Sequence, residues 1–149
     1  MITIRKASLE DLIQVVELFD KYRVFYKKES NKTAAEKFIS ERLKLNESKI
    51  FIAETINGKL IGFVQLYPIF SSTRMQKLWL LNDLFVEIEH RGKGISKLLI
   101  EESKKLCKET NACGLILETE KSNIVGNNLY PSVGFSVDKA HNFYSWDNN

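Results

Sequence analysis

The segment of this 149-residue chain best suited to chemistry is a glycine-bearing turn between an apolar run and a helix. The apolar run LWLLNDLFV spans residues 78–86, and Gly92 and Gly94 follow it just before the helix begins. Glycine lets the backbone approach a ligand closely, and the unpaired N–H groups and positive dipole end of a helix start favour an anion. Arg91 and Lys93 add positive charge beside these groups. The segment therefore predicts a phosphate site.

This turn matches neither of the two best-known phosphate loops. The P-loop needs GxxxxGK followed by Ser or Thr, and the dinucleotide fingerprint needs GxGxxG. Gly92 and Gly94 supply a GxG, but Lys97 stands where the third glycine belongs. The alternative interpretation is that the glycine pair merely turns the chain into the helix.

Two polar residues, Asn82 and Asp83, interrupt the apolar run where the centre of a sheet is expected. An unpaired buried carboxylate is costly or takes up a proton. The two side chains are therefore expected either to join a structural hydrogen-bond network or to face a functional cleft.

Hydrophobic periodicity and turn residues predict the elements that position these groups. Capping boxes at Ser8 and Thr33 predict two successive helices, and Asn57-Gly58 predicts a hairpin. The run over 78–86 predicts a strand buried on both faces. A helix and the short strand GLILE follow it, and this strand–helix–strand order predicts that the two strands pair parallel. Further along, the pattern predicts a short helix over 124–130 and closing strands over 135–137 and 143–146. The order β-α-α-β-β-β-α-β-α-β-β is that of an α/β mixed sheet with helices on both faces.

Composition predicts one globular domain, residues 1–149, without structural staples. The chain has 22 Lys and Arg and 19 Asp and Glu, which gives a net charge of +3. The basic residues are scattered among acidic ones, which argues against nucleic-acid binding. No apolar run approaches the length of about 18 residues that spans a membrane, and the start of the chain lacks a secretory signal, so we expect a cytoplasmic protein. The spacing of Cys107 and Cys113 and the paucity of histidine predict no metal site.

The segment RGKGIS after the LFV strand resembles the acetyl-CoA signature of the GNAT superfamily of N-acetyltransferases. A second GNAT signature, Asn followed by a short helix ending in Tyr-x-x-x-Gly-Phe, corresponds to Asn123 and to the segment from Tyr130 to Phe135. Two positions depart from the family pattern: Ser96 stands where Gly or Ala is usual, and Pro131 follows the tyrosine directly. The predicted order of elements is similar to the GNAT acyl-CoA N-acyltransferase fold along nearly the whole chain.

This resemblance implies acetyl-CoA as the acetyl donor, with no metal. It implies that the backbone of Leu84, Phe85 and Val86 pairs with the pantetheine arm, and that an N–H near Phe85 or Val86 stabilises the thioester oxyanion. It implies that Asn123 contacts the arm and that Tyr130 protonates the departing thiolate. The turn implied to cradle the pyrophosphate comprises Arg91, Gly92, Lys93, Gly94, Ile95, Ser96 and Lys97.

The acceptor amine must lose a proton before it attacks, because an amine such as that of lysine has a pKa of about 10. Asp83 is the first candidate for the base or for a group that positions the ammonium; Glu118, Glu120 and a water chain are alternatives. Asn82 is placed at the same substrate site. Tyr22, Phe25 and Tyr26 are expected either to form an aromatic wall for a cation or to pack against the sheet, with Tyr67 and Ser71-Ser72 candidates for the opposite wall.

The segments LWLLNDLFV, YRVFY and YPIFSS also resemble the polyamine and histone acetyltransferase group. The chain is therefore predicted to be an enzyme that transfers acetyl from acetyl-CoA to a small primary amine, such as a polyamine or amino-acid derivative, in a ternary complex. The alternatives are a protein lysine or N-terminal acetyltransferase and a non-catalytic CoA-binding regulatory protein. We expect no nucleic-acid or membrane partner, and a homodimer that uses Phe143, Tyr144 and Trp146 is an open possibility.

Overall fold

A computed structural model describes residues 1–149, which form five strands, four α-helices and two short 3-10 turns. The chain divides into two units, Met1–Glu118 and Thr119–Asn149, which are described separately. In the first unit the 3-10 turns are Leu9–Asp11 and Ile88–His90. Its strands and helices are β1 Ile2–Lys6, α1 Leu12–Phe25, α2 Lys32–Lys44, β2 Lys49–Thr55, β3 Leu60–Ser71, β4 Gln76–Val86, α3 Ile95–Glu109 and β5 Leu115–Ile116. The second unit contains α4, Ile124–Ser132.

The five strands form one mixed sheet in the order β1-β2-β3-β4-β5. The first four pair antiparallel, and β5 pairs parallel to β4 after the crossover through α3. This arrangement confirms the predicted α/β mixed-sheet class.

Neighbouring positions along β3 and β4 face the helices on opposite sides of the sheet, because side chains alternate along a strand. Phe63 and Phe85 are register partners and belong to the buried cluster contributed by α1 and α2. On the other face, Gly62 and its partner Val86 lie against Leu99 of α3, and a Cβ at Gly62 would come within 3.0 Å of the Phe85 carbonyl oxygen. The α1 side of β4 therefore carries the side chains of Asp83 and Phe85.

Two features of β4 shape the space beside it. Its register with β3 slips where Gln65 pairs with Asp83 and Leu66 with Leu81, so Asn82 is the extra residue of a β-bulge. On its other side, β4 pairs with β5 only at Trp79 and Leu80, although β4 continues to Val86. The two strands therefore separate beyond residue 80, and the last part of β4 presents an unpaired edge.

Several local predictions need correction. The closing strands over 135–137 and 143–146 do not form; Phe143, Tyr144 and Trp146 are at least 84% exposed, so no packed face holds them in a ladder. The second helix is capped by Asn31, whose side chain accepts from the Ala34 N–H, because α2 begins before Thr33. The Ser8 capping box with Asp11 is confirmed.

The predicted double-sided burial of β4 is also only partly right. Asp83 is buried, but Asn82 is exposed because the bulge turns it out of the sheet. None of the helices combines the length and the apolar character that crossing a membrane requires.

Candidate active site

The turn between β4 and α3 forms an open cradle of backbone N–H groups. Gly92 and Gly94 adopt left-handed φ angles of 74° and 78°, which glycine tolerates without steric cost. Helix α3 begins directly after Gly94, and no side chain caps it. The N–H groups of residues 92–97 donate no hydrogen bond within the chain. Together with the positive end of the helix dipole, these donors have the chemistry that suits phosphate oxygens.

The cradle has room for a ligand. A Cβ added at Gly92 or Gly94 would meet no heavy atom within 4 Å, so both glycines border open space. Lys93 turns its amine back to the Glu89 carbonyl oxygen at 3.2 Å, and Lys97 is exposed. The predicted anion site is therefore built mainly from backbone donors, with side-chain charge around it.

Arg91 is held against the end of β4. Its Nε donates to the Val86 carbonyl oxygen at 2.8 Å. Its guanidinium carbon lies 5.2 Å from the ring centroid of Phe25 and 5.4 Å from that of Phe85, both within cation–π range. A cavity of about 380 Å³ lies beside this cluster, between the C-terminal half of α1 and the residues that follow β4.

The unpaired edge of β4 begins beside the cradle and runs back along the strand. The Glu87 N–H donates to the Ile61 carbonyl oxygen, and backbone groups alternate along an antiparallel strand. Phe85 therefore turns its backbone groups toward β3, whereas Leu84 and Val86 turn theirs toward the gap beside β5. Arg91 occupies the Val86 carbonyl, which leaves the N–H of Val86 and both groups of Leu84 for an extended ligand.

A buried carboxylate lies on the α1 side of β4. Asp83 is 3% exposed, and its oxygens accept from Gln65 Nε2 at 2.6 Å and from Asn82 Nδ2 at 2.9 Å. Gln65 Oε1 in turn accepts from the Ser48 hydroxyl at 2.8 Å. Neither Gln65 nor Ser48 was predicted from the sequence; the one signal was a polar Gln inside the apolar run of the second hairpin strand.

Burial raises the pKa of Asp83, and hydrogen bonds from Gln65, Asn82 and Tyr22 only partly oppose that rise. An ionised carboxylate with a raised pKa is a stronger base than an exposed one. Burial likewise raises the pKa of Tyr67, the charge of Asp83 adds to the rise, and Arg42 opposes it. Tyr67 therefore stays a neutral phenol beside the carboxylate.

Aromatic side chains of α1 cover this carboxylate. The Tyr22 hydroxyl lies within hydrogen-bonding reach of the Asp83 carboxylate and 3.3 Å from the Asn82 carbonyl oxygen. The Tyr22 ring meets Tyr26 edge-on at 4.9 Å and Phe63 at 6.0 Å. The structure therefore brings Tyr22, Tyr26, Asn82 and Asp83 together, and Tyr22 has both a packing contact and a polar contact.

The second unit holds the remaining predicted residues. Asn123 caps α4: its Oδ1 accepts from the Gly126 N–H at 3.1 Å, and its Nδ2 donates to Thr119 Oγ1 at 2.9 Å. Tyr130 is half-buried, and its ring packs edge-on against Phe135 at 5.8 Å. The Asn123 amide is therefore already engaged in shaping the start of α4. The alternative bases Glu118, in the first unit, and Glu120, in the second, are both exposed.

Comparison with known proteins is consistent with these features. Residues 13–135 match the model of the Acetyltransferase (GNAT) family. An uncharacterised N-acetyltransferase of Bacillus subtilis, YhfO, is 40% identical over 141 residues, covering 95% of this chain and 94% of the relative. A probable acetyltransferase of Haemophilus influenzae is 30% identical over 139 residues, 93% of each chain. The crystal structure of a probable acetyltransferase superposes with a TM-score of 0.94 at 35% identity, covering 99% of this chain and 98% of that one.

Proposed function

The chain belongs to the GNAT family of acetyltransferases, and on that premise we propose that it transfers the acetyl group of acetyl-CoA directly to a small primary amine. One observation carries the proposal: the open edge of β4 leads into the cradle of unpaired N–H groups at residues 92–97. In acetyl-CoA an extended arm that bears amides is joined to a pyrophosphate. The arm matches the open edge of β4, and the pyrophosphate matches the cradle that adjoins it.

The chain's residues would hold acetyl-CoA through its backbone. Leu84 and Val86 offer the unpaired groups that an extended amide chain needs in order to dock like an added strand. The N–H groups of residues 92–97 would receive the pyrophosphate oxygens. Arg91, fixed by the Val86 carbonyl oxygen, adds positive charge at the junction of the two.

The proposed chemistry begins with the carboxylate on the α1 side of β4. Asp83, directly or through a water, would accept a proton from the ammonium group and so release the amine lone pair for attack on the thioester carbon. Of the backbone N–H groups next to Phe85, that of Leu84 faces the gap and lies farther from the cradle, where the thioester end of the arm would reach. The Leu84 N–H would therefore stabilise the oxyanion, since the Phe85 N–H faces β3. The tetrahedral intermediate then loses the second amine proton to solvent and collapses, and the C–S bond breaks. Tyr130 would give its proton to the departing thiolate and regain one from solvent.

The acceptor we favour is a small amine such as a polyamine or an amino-acid derivative, in keeping with the resemblance to the polyamine-acetylating group. The support is a buried carboxylate lined by Tyr22 and Tyr67, a combination that suits an ammonium group by charge and by cation–π contact. A protein lysine or N-terminus is the second candidate, because it presents the same ammonium group.

Thiol release from acetyl-CoA tests the function across polyamines, amino acids, aminoglycosides and lysine peptides. We expect turnover on small amines that falls sharply in Asp83→Asn and is unchanged in Asp147→Asn, an exposed aspartate. Turnover confined to peptides would move the acceptor to proteins. Acetyl-CoA binding without turnover on any amine would favour a regulatory CoA-binding protein, and absence of binding would overturn the account of the cradle.

Two further predictions concern the setting of the enzyme. We propose that two copies associate through the C-terminal segment, because Phe143, Tyr144 and Trp146 expose apolar rings that water solvates poorly. Light scattering coupled to size exclusion measures the molar mass in solution of the full chain and of a chain ending at residue 136. We expect a dimer for the full chain and a monomer for the shortened one. A cytoplasmic location is proposed as well, and cell fractionation tests it.

A further inference from the structure

Helix α1 carries two neighbouring stripes of side chains that reach two different parts of the site. Lys21 and Phe25 are four residues apart and so lie on one face of the helix, and Tyr22 and Tyr26, the residue directly after the helix, form the adjacent face. The cavity of about 380 Å³ lies beside the first of these stripes.

The first stripe contacts the residues that follow β4. Lys21 Nζ pairs with Glu87 Oε1 at 2.6 Å. One turn later, the Phe25 ring lies under the guanidinium of Arg91 at 5.2 Å. Lys21 is half-exposed, so its ion pair is screened by solvent and contributes little on its own. The Phe25 ring thus contacts Arg91, the first residue of the predicted cradle, directly.

The second stripe contacts the buried carboxylate. Tyr22 reaches Asp83 and the Asn82 carbonyl oxygen, and Tyr26 packs against Tyr22 at 4.9 Å. The two stripes are joined by an edge-on contact of Phe25 with Tyr26 at 5.2 Å. An unbroken chain of contacts therefore runs from Arg91 through the three rings to Asp83.

We propose that Phe25 is a positioning residue that couples occupation of the phosphate cradle to the placement of Tyr22 over Asp83. The inference rests on the proposed function, because it takes the cradle to be the coenzyme A site. A pyrophosphate in the cradle fixes Arg91, Arg91 fixes the Phe25 ring, and the ring fixes the end of α1 that carries Tyr22. Coenzyme binding thereby prepares the acceptor side, and Phe25 itself touches neither reacting group.

The test uses coenzyme A alone as the probe, so it needs no knowledge of the acceptor. Tyrosines are replaced by 3-fluorotyrosine, the Tyr22 fluorine resonance is assigned with Tyr22→Phe, and coenzyme A is titrated while affinity is followed by calorimetry. We expect the Tyr22 resonance to shift in the unmodified protein. In Phe25→Leu, the Tyr22 resonance should no longer shift when coenzyme A is saturating. The affinity for coenzyme A should fall only about two- to fivefold, which corresponds to the loss of one exposed cation–π contact.

Two variants make the result specific. Phe25→Tyr keeps the ring face under Arg91 and should retain the Tyr22 shift. Phe38→Leu is the matched control, because Phe38 also lies under an arginine, Arg42 at 4.4 Å, and its ring stacks on Phe19 beside Tyr22, but it belongs to α2 and does not contact Arg91. It should leave both the shift and the affinity unchanged.

The outcomes separate the inference from the function on which it rests. Failure of coenzyme A to bind the unmodified protein would overturn the proposed function and the inference together. Binding without a Tyr22 shift, or with the same shift in Phe25→Leu, would overturn the coupling alone. A shift lost equally in Phe38→Leu would also overturn it, by showing a general loosening of the helices.

Discussion

Replacing Gly94 by alanine separates the two roles that this glycine has in the structure. Its φ of 78° lies in the left-handed region, and a Cβ built there meets no atom within 4 Å. The alanine methyl group therefore clashes with nothing in the unliganded protein, and only backbone strain affects folding. The methyl group projects into the space through which a phosphate oxygen would approach the N–H groups of the cradle.

The expected magnitudes follow from this geometry. A left-handed conformation costs an L-residue about 1–2 kcal/mol, and a domain of this size loses roughly 2–4 °C of melting temperature per kcal/mol, so Gly94→Ala should melt about 2–8 °C lower. The strain is present with and without ligand and cancels in the affinity. The loss of a hydrogen bond to a charged phosphate is worth about 1.5–3 kcal/mol, so acetyl-CoA affinity should fall at least about tenfold.

Gly58→Ala is the control for strain alone. Gly58 has a φ of 79° in the Asn57-Gly58 turn, and a Cβ there lies 3.9 Å from Glu54 Oε1, an ordinary contact. Thermal melts and calorimetric titration with acetyl-CoA compare the two variants. Similar losses of stability with a loss of affinity only in Gly94→Ala are expected. Unchanged affinity in Gly94→Ala would refute the assignment of the cradle.

Three further variants test the other groups. The raised pKa of Asp83 means that the folded state binds a proton more tightly than the unfolded state, so stability falls as pH rises above the ordinary pKa of 3.8. Asp83→Asn should therefore melt no lower than the unmodified protein in calorimetry at pH 7. The same variant should slow thiol release about 10²-fold or more. Tyr130→Phe keeps the ring contact with Phe135 and should lower kcat, by about 10²-fold, with the KM for acetyl-CoA unchanged in initial-rate assays; an equal loss in both constants would point to packing instead. A hydrogen bond from Arg5 lowers the pKa of Asp11 against the opposing effect of burial, so this pair stabilises the fold above the ordinary pKa of 3.8 and stops doing so as pH falls. Between about pH 5 and 3, the melting temperature of Arg5→Ala should fall less than that of the unmodified protein. An identical fall would contradict the pairing.

Local patterns in the sequence predicted much of the fold. The Ser8 capping box, the Asn57-Gly58 hairpin and the strand–glycine turn–helix segment each depend on residues close together in the chain, and the structure contains all three. The parallel pairing of the strand after α3 followed from the same segment, since a strand–helix–strand unit returns in the same direction. The expectation of closing strands after residue 134 was wrong, because an alternating pattern does not supply a partner strand.

The sequence by itself determined the glycine turn that we propose as the phosphate cradle, because the two glycines and the helix start that follows them act through their own backbone. It also singled out Asp83 as a polar residue in an apolar run. Only the tertiary structure decided which groups surround that carboxylate. The bulge exposes Asn82, the residue before Asp83, and the pairing with β3 brings Gln65 Nε2 to an oxygen of Asp83. The separation of β4 from β5 and the contact of Phe25 with Arg91 likewise join residues distant in sequence. Contacts of this kind depend on register and packing, which no local spacing of residues specifies.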